Sequence, residues 1–462
     1  MRILETLSWA EIAMALGARP LGSPMGVPTG ASIDTRTLEP GDIFFALKGE
    51  RVDGHEHVTS AFDKGASCAV IKDPNRAHAG RFALVVEDPE LALFELARLV
   101  RSRSSAVFVA VTGSAGKTTA KEFTAELLRA KGEVLATRGN LNNHLGVPLT
   151  LARLETDHWA AVVECGMSHA GELRRLVHLI RPRIAMVTNV AAAHLEYFKS
   201  VDEIAAAKAE IFETLGAGDT AIAPADEPRL TRRVKGKPFA VRLFGPGEGS
   251  SSRADEATMT LEGSRFQLVS GASRVEVNLP ASGPHAISNF LAAVAVAEAL
   301  DIPPEAVADR ARLLKPGGNR GSVKRLQDDI LLIDDTYNSN PRALLSAIET
   351  LALARDRRKV ACIGEMLELG ENGATLHRDA GAALGPRVDL LLGVGALARE
   401  IVSGATSLPP QAKRVFETSA ELAANISSLV KSHDAVLVKG SRGVRMERVV
   451  EALLAAHPGV PA

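Results

Sequence analysis

A glycine-rich segment at residues 109–119, VAVTGSAGKTT, contains the residue types that bind nucleotide phosphates. The apolar run before it predicts a strand, and the segment after it places Ala120, Phe123 and Leu127 on one face of a helix. Backbone N–H groups at the start of such a helix bind phosphate oxygens, a lysine reaches the terminal phosphates, and a threonine hydroxyl can bind Mg2+. A chance Gly-Lys-Thr in a helix cap is the alternative, and the flanking elements argue against it. The predicted phosphate-binding residues are Gly113, Ser114, Ala115, Gly116, Lys117, Thr118 and Thr119.

Glu164 ends the apolar run 159–164, which predicts another strand. A carboxylate at a strand end beside a phosphate loop is a typical Mg2+ ligand. A glutamate that only caps the strand or forms an ion pair is the alternative. The phosphate loop nearby favours the metal ligand.

Lys208 falls on the apolar face of a predicted helix. Ser200 and Glu203 have the spacing of a capping box, so the helix begins there, and Ile204 and Ile211 share a face with Lys208. Such a lysine either reaches solvent from the rim of the helix or enters a cleft. In a cleft, burial would lower its pKa and free the amine for chemistry.

One histidine and one asparagine-rich loop are further candidates for ligand contact in the central part of the chain. His194 comes after the predicted strand 184–188 and could bind a metal or a phosphate, or it could be an ordinary surface residue. The loop 139–146 contains Asn142 and Asn143, which could contact a substrate or simply support a turn.

Two further polar segments lie at predicted strand ends, at residues 334–341 and 439–445. The first begins with Asp334 and Asp335, whose charges repel unless a cation or hydrogen-bond donor is close. The second carries several cations that could hold a phosphate or a carboxylate. Turn formation and helix capping are the alternative for both segments.

Three units that position these residues are predicted from the pattern of strands and helices, so we expect a three-domain α/β protein. Residues 1–83 predict a small α/β unit, and residues 84–314 predict a doubly wound parallel sheet with an antiparallel β insertion at 236–280. Residues 315–462 predict a Rossmann-like unit. The central and last units have predicted strands at 106–111, 159–164, 184–188, 220–223, 330–333, 359–363, 389–394 and 434–438. Ligands bind at the carboxyl ends of parallel strands, so two facing edges would form one cleft for two substrates.

The composition argues against several classes of protein. The chain has 462 residues and a formal net charge of −1, so no strong field attracts nucleic acid or an anionic membrane. Its three cysteines are far apart, which indicates a reducing, cytoplasmic location. The first 17 residues predict a helix rather than a signal peptide, and no apolar run is long enough to span a membrane.

Motifs along nearly the whole chain resemble those of the Mur ligase family: TGSAGKTT, NLNNHLGVP, ECGM, AAAHLE, AKAEI, GPHAISN, DDTYNSNP and KGSRGVRME. The resemblance implies an ATP-dependent ligase that makes amide bonds to UDP-sugar peptides in cell-wall synthesis. DDTYNSNP and KGSRGVRME are similar to the branch of the family that joins D-alanyl-D-alanine to UDP-N-acetylmuramoyl-tripeptide. It also implies an acyl-phosphate intermediate, two Mg2+ ions and a monomer that closes on its substrates.

The resemblance implies roles for individual residues. Lys117 would hold the β and γ phosphates, Thr118 and Glu164 one Mg2+, and His194 the second. Lys208 matches a lysine that is carbamylated in the family and would bind metal. The implied nucleotide contacts are His285, Asn289, Arg320 and Asp335. The implied contacts to the UDP-sugar peptide and the dipeptide are Ser32, Asp34, Arg36, Asn142, Asn143, Tyr337, Asn338, Lys439, Ser441 and Arg442, of which Asn338 would also face the transferring phosphate.

The sequence departs from the family pattern at Arg320, which lies in a loose form of a Gly-Arg motif, and at Glu365, where the family usually has aspartate. A folylpolyglutamate synthase is the alternative enzyme, since it shares the phosphate loop and ATP chemistry. A P-loop kinase or NTPase and an inactive binding protein are the alternatives of other classes. Substrate choice distinguishes the folate enzyme, and dependence of phosphate release on both co-substrates distinguishes the alternatives of other classes.

Overall fold

The computed structural model describes residues 1–24, 26–50, 52–192, 196–314 and 317–460. Over these residues the chain forms three β-sheets, of five, nine and six strands, with helices packed against them. The predicted α/β class is therefore confirmed.

The first sheet belongs to the amino-terminal part of the chain. Its strands are β1 (Arg19–Leu21), β2 (Gly30–Ser32), β3 (Asp42–Phe45), β4 (Cys68–Ile71) and β5 (Ala83–Val85). Its helices are α1 (Trp9–Ala15), α2 (Val58–Asp63) and α3 (Pro89–Ser102). The strand order is β1-β5-β4-β3-β2, and only the β1–β5 pair is antiparallel. Strand β5 crosses the expected boundary between residues 83 and 84, so Leu84 and Val85 pair within this sheet.

The second sheet is the largest. Its strands are β6 (Val107–Thr112), β7 (Val134–Ala136), β8 (Ala160–Glu164), β9 (Ile184–Val187), β10 (Thr220–Pro224), β11 (Ala240–Phe244), β12 (Ser250–Met259), β13 (Ser264–Ser270) and β14 (Ser273–Leu279). Its helices are α4 (Lys117–Leu128), α5 (Gly146–Leu151), α6 (Glu172–Ile180), α7 (Val201–Ala209), α8 (Pro228–Val234), α9 (Pro284–Ala299) and α10 (Pro304–Ala311). The order is β14-β13-β12-β11-β10-β9-β6-β8-β7.

The expected antiparallel insertion at 236–280 is smaller than predicted and is not a separate sheet. Strand β11 pairs parallel to β10, so it continues the doubly wound part, and only β12, β13 and β14 pair antiparallel. Alternation of polar and apolar residues reports one buried face and does not distinguish the two pairing directions.

The third sheet lies in the carboxyl-terminal part. Its strands are β15 (Ser322–Arg325), β16 (Leu331–Asp335), β17 (Arg358–Gly364), β18 (Leu390–Val394), β19 (Lys413–Phe416) and β20 (Asp434–Lys439). Its helices are α11 (Pro341–Leu351), α12 (Gly373–Leu384), α13 (Ala398–Gly404), α14 (Ser419–Leu429) and α15 (Glu447–Ala456). The order is β15-β16-β20-β17-β18-β19, with β15 alone antiparallel to its neighbour.

Strand β6 shows why the phosphate loop begins where it does. Phe108 packs on one side of the sheet in the core that includes α3 and α6, and Val109 packs on the other with α4 and α9. A strand covered on both faces is apolar throughout, and its first polar residues appear where it leaves the sheet. That exit is Thr112, the start of the loop.

The second and third units contact each other directly. Helix α11 packs against α9, and Leu261, at the tip of the β12–β13 hairpin, packs against the core of the third sheet. Glu262 beside it forms an ion pair with Arg325 on β15. No helix within the described residues is long and apolar enough to cross a membrane.

Candidate functional site

The phosphate loop connects β6 to α4, and Gly116 caps the helix in a left-handed conformation with φ of 76°. A Cβ at this position would lie 2.3 Å from Oδ1 of Asn289 on α9. Glycine is therefore required for both backbone conformation and space. The loop and the start of α9 thus form one continuous wall.

Residues that follow β9 hold the phosphate loop in place. Thr188 Oγ1 donates to the carbonyl of Ala115 at 2.7 Å, and Asn189 both accepts from the Ala115 N–H at 3.0 Å and donates to its carbonyl at 2.8 Å. Ser114 Oγ exchanges hydrogen bonds with the backbone of Ala191. Thr188 and Asn189 clamp the loop only because β9 pairs with β6, which the sequence does not reveal.

Lys117 folds back over the loop, since its Nζ donates to the carbonyl of Gly113 at 2.9 Å. Removal of the ammonium group from water lowers its pKa, the carboxylate of Glu164 opposes that effect, and the cation of Arg320 adds to it. Lys117 and Arg320 repel each other, so a bound polyanion would stabilise both cations.

Thr118 and Glu164 form the pair that the sequence predicted for Mg2+. Thr118 Oγ1 donates to Glu164 Oε2 at 2.7 Å, and Asn142 Nδ2 donates to Glu164 Oε1 at 2.8 Å. Glu164 as a residue is 2% exposed. Its backbone N–H donates to Thr137 Oγ1 at 2.9 Å. One hydroxyl and one carboxylate fit Mg2+, which takes few protein ligands and fills its octahedron with phosphate oxygens and water.

The structure gives less information on the other predicted metal ligands. His194 lies outside the described residues. Among the residues that are described, no group of three or more histidine, cysteine, aspartate or glutamate side chains could hold a metal.

Lys208 on α7 is buried and does not line the main cavity. Burial lowers its pKa well below the ordinary lysine value, and the nearby charge of Lys117 lowers it further. The helix begins at the capping residue Ser200, as the sequence predicted. Lys208 therefore does not reach solvent, and it is not among the residues that line the cavity, so its entry into the cleft stays a prediction.

His285 and Asn289, on the first turns of α9, lie beside the phosphate loop in the cavity wall. The Nδ1 atom of His285 is buried and has no hydrogen-bond partner, and burial lowers the pKa of the imidazole. A buried polar atom without a partner costs free energy, which a ligand group could recover.

The facing wall is the carboxyl edge of the third sheet. Lys439 Nζ donates to Asp335 Oδ2 at 2.6 Å and to the Asn338 carbonyl at 2.8 Å, with Lys439 buried. Lys324 pairs with Asp334 at 3.1 Å. Each of the two adjacent acids thus has its own cation, which removes the repulsion expected from their sequence.

Tyr337 lies between two guanidinium groups. The Arg320 carbon Cζ lies 3.7 Å from the ring centroid, and the Arg442 Cζ lies 5.9 Å from it. Cation–π contacts of this kind orient arginines without neutralising them. Two positive charges are therefore fixed in the cavity wall.

One cavity of about 1210 Å³ joins the two walls. Asn340 Nδ2 donates to the Ser114 carbonyl at 3.4 Å, and Arg342 Nη1 donates to the Val190 carbonyl at 3.3 Å, across the cleft. The predicted residues that line it are Ser114, Ala115, Gly116, Lys117, Thr118, Thr119, Asn142, Asn143, Glu164, His285, Asn289, Arg320, Asp335, Tyr337, Asn338, Lys439, Ser441 and Arg442.

Three predicted residues lie in the first unit instead, at and after the end of β2. Ser32 Oγ accepts from the Asp34 N–H at 3.2 Å, and Arg36 pairs with Asp34 at 2.6 Å. The hydrogen bond from Arg36 lowers the pKa of Asp34. Arg36 is 85% exposed, so its guanidinium group is available to an anion.

Two apolar side chains in the cavity were not predicted. Leu345 on α11 and Leu367 after β17 are 41% and 42% exposed and line it. Neither belongs to a polar motif, and only the fold brings them together. They give small apolar groups of a ligand a surface to contact beside the charged residues.

Models of the Mur ligase family match most of the chain. The Mur ligase middle domain matches residues 111–297, the glutamate ligase domain of Mur ligases matches 319–442, and the Mur ligase family catalytic domain matches 28–101. The middle-domain match begins within β6 and includes the phosphate loop.

A curated relative aligns with the chain over most of the length of both proteins. The UDP-N-acetylmuramoyl-tripeptide–D-alanyl-D-alanine ligase of Escherichia coli (strain K12) is 38% identical over 425 residues, which cover 91% of this chain and 92% of the relative.

Solved structures of two MurF proteins are similar in fold and sequence to this chain over most of its length. MurF from Acinetobacter baumannii has a TM-score of 0.88 at 32% identity, covering 96% of this chain and 98% of its own. MurF from Thermotoga maritima in complex with ADP has a TM-score of 0.81 at 28% identity, covering 93% and 98%. The folylpolyglutamate synthase of Mycobacterium tuberculosis has a TM-score of 0.64 at 17% identity, covering 79% and 95%, a likeness of fold alone.

Proposed function

The chain belongs to the Mur ligase family, and on that premise we propose that it joins D-alanyl-D-alanine to UDP-N-acetylmuramoyl-tripeptide at the expense of ATP. The products are ADP, phosphate and the UDP-N-acetylmuramoyl-pentapeptide of peptidoglycan synthesis. The enzyme is an ATP-dependent carbon–nitrogen ligase of the MurF type.

One observation carries the proposal. The phosphate loop and the carboxyl edge of the third sheet line a single cavity, and Asn340 and Arg342 reach from that edge to Ser114 and Val190. An enzyme that only hydrolyses ATP has no need of a second sheet edge on its phosphate loop. A ligase needs it, because the activated carboxylate and the amine must meet beside the transferred phosphate.

Nucleotide binding is assigned to the second unit and the loop that precedes the third. The N–H groups of the loop and Lys117 would hold the phosphates, Thr118 and Glu164 would hold Mg2+, and His285 and Asn289, which line the same cavity, would contact the base. When bound, Mg2+ neutralises charge on the phosphate being transferred. Arg320, fixed by Tyr337, adds a second positive charge there.

The reaction has two steps at this cavity. First, a carboxylate oxygen of the tripeptide forms a bond to the γ-phosphorus of ATP and ADP leaves, with Lys117 and Arg320 stabilising the charge. Second, the dipeptide amine attacks the acyl carbon, the C–O bond to phosphate breaks, and the amine loses a proton. Lys439 and Arg442, which line the cavity, would bind the leaving phosphate or the dipeptide carboxylate.

The substrate ends are assigned by domain. Ser32, Asp34 and Arg36 bind the UDP end of the sugar peptide, and Asn142 and Asn143 contact its peptide near the phosphate loop. The third unit binds D-alanyl-D-alanine, with Asn338 and Ser441 for its polar groups and Leu345 and Leu367 for its methyl groups. We keep the division at residue 314 and place the first boundary after β5.

Lys208 is proposed to carry a carbamate. The nitrogen of a neutral lysine amine forms a bond to the carbon of carbon dioxide and releases one N–H proton, so the neutral side chain becomes an anionic carbamate that could bind metal. Its lowered pKa supports this, since only the neutral amine reacts. His194, which the resemblance pairs with a second Mg2+, remains a proposal from sequence.

The proposed reaction is tested by incubating the protein with Mg-ATP, D-alanyl-D-alanine and UDP-N-acetylmuramoyl-tripeptide, omitting each in turn. We expect phosphate release that requires both co-substrates, and a product with the mass of the UDP-pentapeptide. Phosphate release without amide product would contradict the assignment. Turnover of a folate substrate with glutamate would instead establish the alternative enzyme.

A further inference from the structure

The loop after β17, residues 365–369, is held by three successive backbone N–H groups. Glu365 N–H donates to the Val394 carbonyl at 3.0 Å, Met366 N–H to His377 Nε2 at 2.8 Å, and Leu367 N–H to Ser441 Oγ at 2.9 Å. The three acceptors come from three different segments of the third unit. The path of this loop is therefore fixed by tertiary contacts and not by its own turn.

His377 on α12 is the only side chain among the three acceptors that can change its protonation state. Its Nδ1 lies 2.6 Å from the carbonyl of Gly373, which can only accept, so Nδ1 carries the proton. Nε2 is then the acceptor for Met366. This pattern requires the neutral imidazole, because a proton on Nε2 would face the Met366 N–H with a second donor.

The loop held in this way forms part of the cavity wall. Leu367, Glu368 and Leu369 line the cavity, and Glu368 has a left-handed backbone with φ of 62°. A non-glycine residue in that conformation persists where surrounding contacts determine it. His377 and Met366 are fully buried behind this wall, so the imidazole contacts the loop and not the cavity.

We propose that neutral His377 is a positioning residue for the amine substrate. By holding Met366 it sets the position of Leu367 and, through the Leu367 N–H, of Ser441, so that the two form one side of the D-alanyl-D-alanine site. The inference rests on the proposed function and adds a residue that no binding motif contains.

The surroundings of His377 have opposite effects on its pKa, and their net effect favours the neutral imidazole. Burial lowers the pKa of the imidazole, whereas its hydrogen bond to Gly373 and the carboxylates of Glu365 and Glu400 raise it, with a net lowering. Arg378, the next residue on α12, is an ion-pair partner of Glu400 on α13. The loop should therefore lose its His377 contact only as the pH falls below the ordinary histidine range, about 6.5.

The test uses His377→Ala and His377→Gln in the full-length enzyme, with steady-state KM for D-alanyl-D-alanine and for ATP. Glutamine can accept from Met366 and donate to Gly373 without titrating. We expect the dipeptide KM to rise about tenfold in His377→Ala, as one lost buried hydrogen bond implies. The KM for ATP should stay within about twofold, and His377→Gln should restore the dipeptide KM.

The pH profile separates positioning from folding. Protonation of the dipeptide's own amine raises its KM at low pH in every variant. Below about pH 6.5 the dipeptide KM should rise more steeply in the wild type than in His377→Gln, because only the wild type also loses the contact of His377 with Met366. His457→Gln is the matched control, because His457 pairs with Asp328 at the opposite end of the same sheet. It should leave both KM values and their pH dependence unchanged.

Several results would contradict the positioning role of His377. An unchanged dipeptide KM in His377→Ala, an equal rise in the KM for ATP, or the same acid profile in His377→Gln and wild type overturns the inference. If His377→Ala does not fold, the comparison of wild type with His377→Gln decides. A wild type that releases no phosphate with the dipeptide overturns the proposed function, and this inference with it.

Discussion

Lys439 Nζ and Asp335 Oδ2 lie 2.6 Å apart at the carboxyl edge of the third sheet, and the side chain of Lys439 is 2% exposed. The ion pair joins the last residues of two adjacent parallel strands, β16 and β20. A buried cation is tolerated here because its partner and a backbone carbonyl satisfy it.

Replacing Asp335 by asparagine should therefore destabilise the protein. The substitution leaves Lys439 buried without its counter-ion, which costs about 3–5 kcal/mol in comparable pairs. Urea unfolding measures the loss. Glu417→Gln, which breaks the exposed pair of Glu417 with Arg399, is the control and should cost less than about 1 kcal/mol. Equal losses in both variants would show that burial of Lys439 does not matter.

Replacing Glu164 by glutamine should reduce turnover on the order of 100-fold, because a metal-bound charge stabilises transition states by several kcal/mol. The apparent Mg2+ requirement should increase, and unfolding should change little because the amide keeps the hydrogen bond to Thr118. Phosphate release as a function of Mg2+ concentration measures both. Full activity in Glu164→Gln at low Mg2+ would remove Glu164 from the metal site.

Lys208 should make stability depend on pH when carbon dioxide is absent. A buried amine with a lowered pKa binds fewer protons in the folded state than in the unfolded state. Stability should then rise with pH between that lowered pKa and the ordinary lysine value of about 10.4. Chemical denaturation at several pH values measures this slope, and Lys208→Met should remove it.

Carbamylation of Lys208 can be tested directly by labelling the carbamate carbon. With 13C-labelled bicarbonate, a carbamate carbon signal should appear in the wild type and be absent from Lys208→Met. The variant should lose activity, and short carboxylic acids should restore part of it by supplying the missing oxygen ligands. A wild-type enzyme without the signal, but fully active, would refute the modification.

Replacing Gly116 by alanine should abolish ADP binding. The new Cβ would lie 2.3 Å from Asn289 Oδ1, in a backbone conformation that alanine rarely adopts. Gly218→Ala is the matched control, because Gly218 has φ of 91° and no atom within 4 Å of its Cβ position. The control should bind ADP with wild-type affinity by isothermal titration, although both variants carry backbone strain.

The sequence predicted the local parts of the site well. The phosphate loop, Glu164 and the start of the Lys208 helix each depend on a strand end or a cap, which neighbouring residues specify. Pairings between distant segments were not predictable. Strand β11 was assigned the wrong pairing direction, and the clamp of Asn189 on Ala115 exists only because β9 lies beside β6.

Two further contacts were missed for the same reason: that of Asn340 with Ser114 between the two cavity walls, and that of Met366 with His377 within the third unit. Nothing in the sequence near Asn340 indicates Ser114, and nothing near Met366 indicates His377, since 226 and 11 residues separate the partners. His377 lies in an ordinary helical pattern, where a histidine has no distinguishing signal. Such residues become visible only when hydrogen-bond partners are known.

The hairpin tip at Leu261 gives the third unit a second attachment to the central sheet, besides the polypeptide itself near Leu314. Helix α11 on α9 is a further contact between the two units. A movement that widened the cavity at Asn340 and Ser114 would therefore have to break the ion pair of Glu262 with Arg325 or carry the hairpin along with the third unit. The hairpin thus links the edge of the central sheet to the width of the cavity.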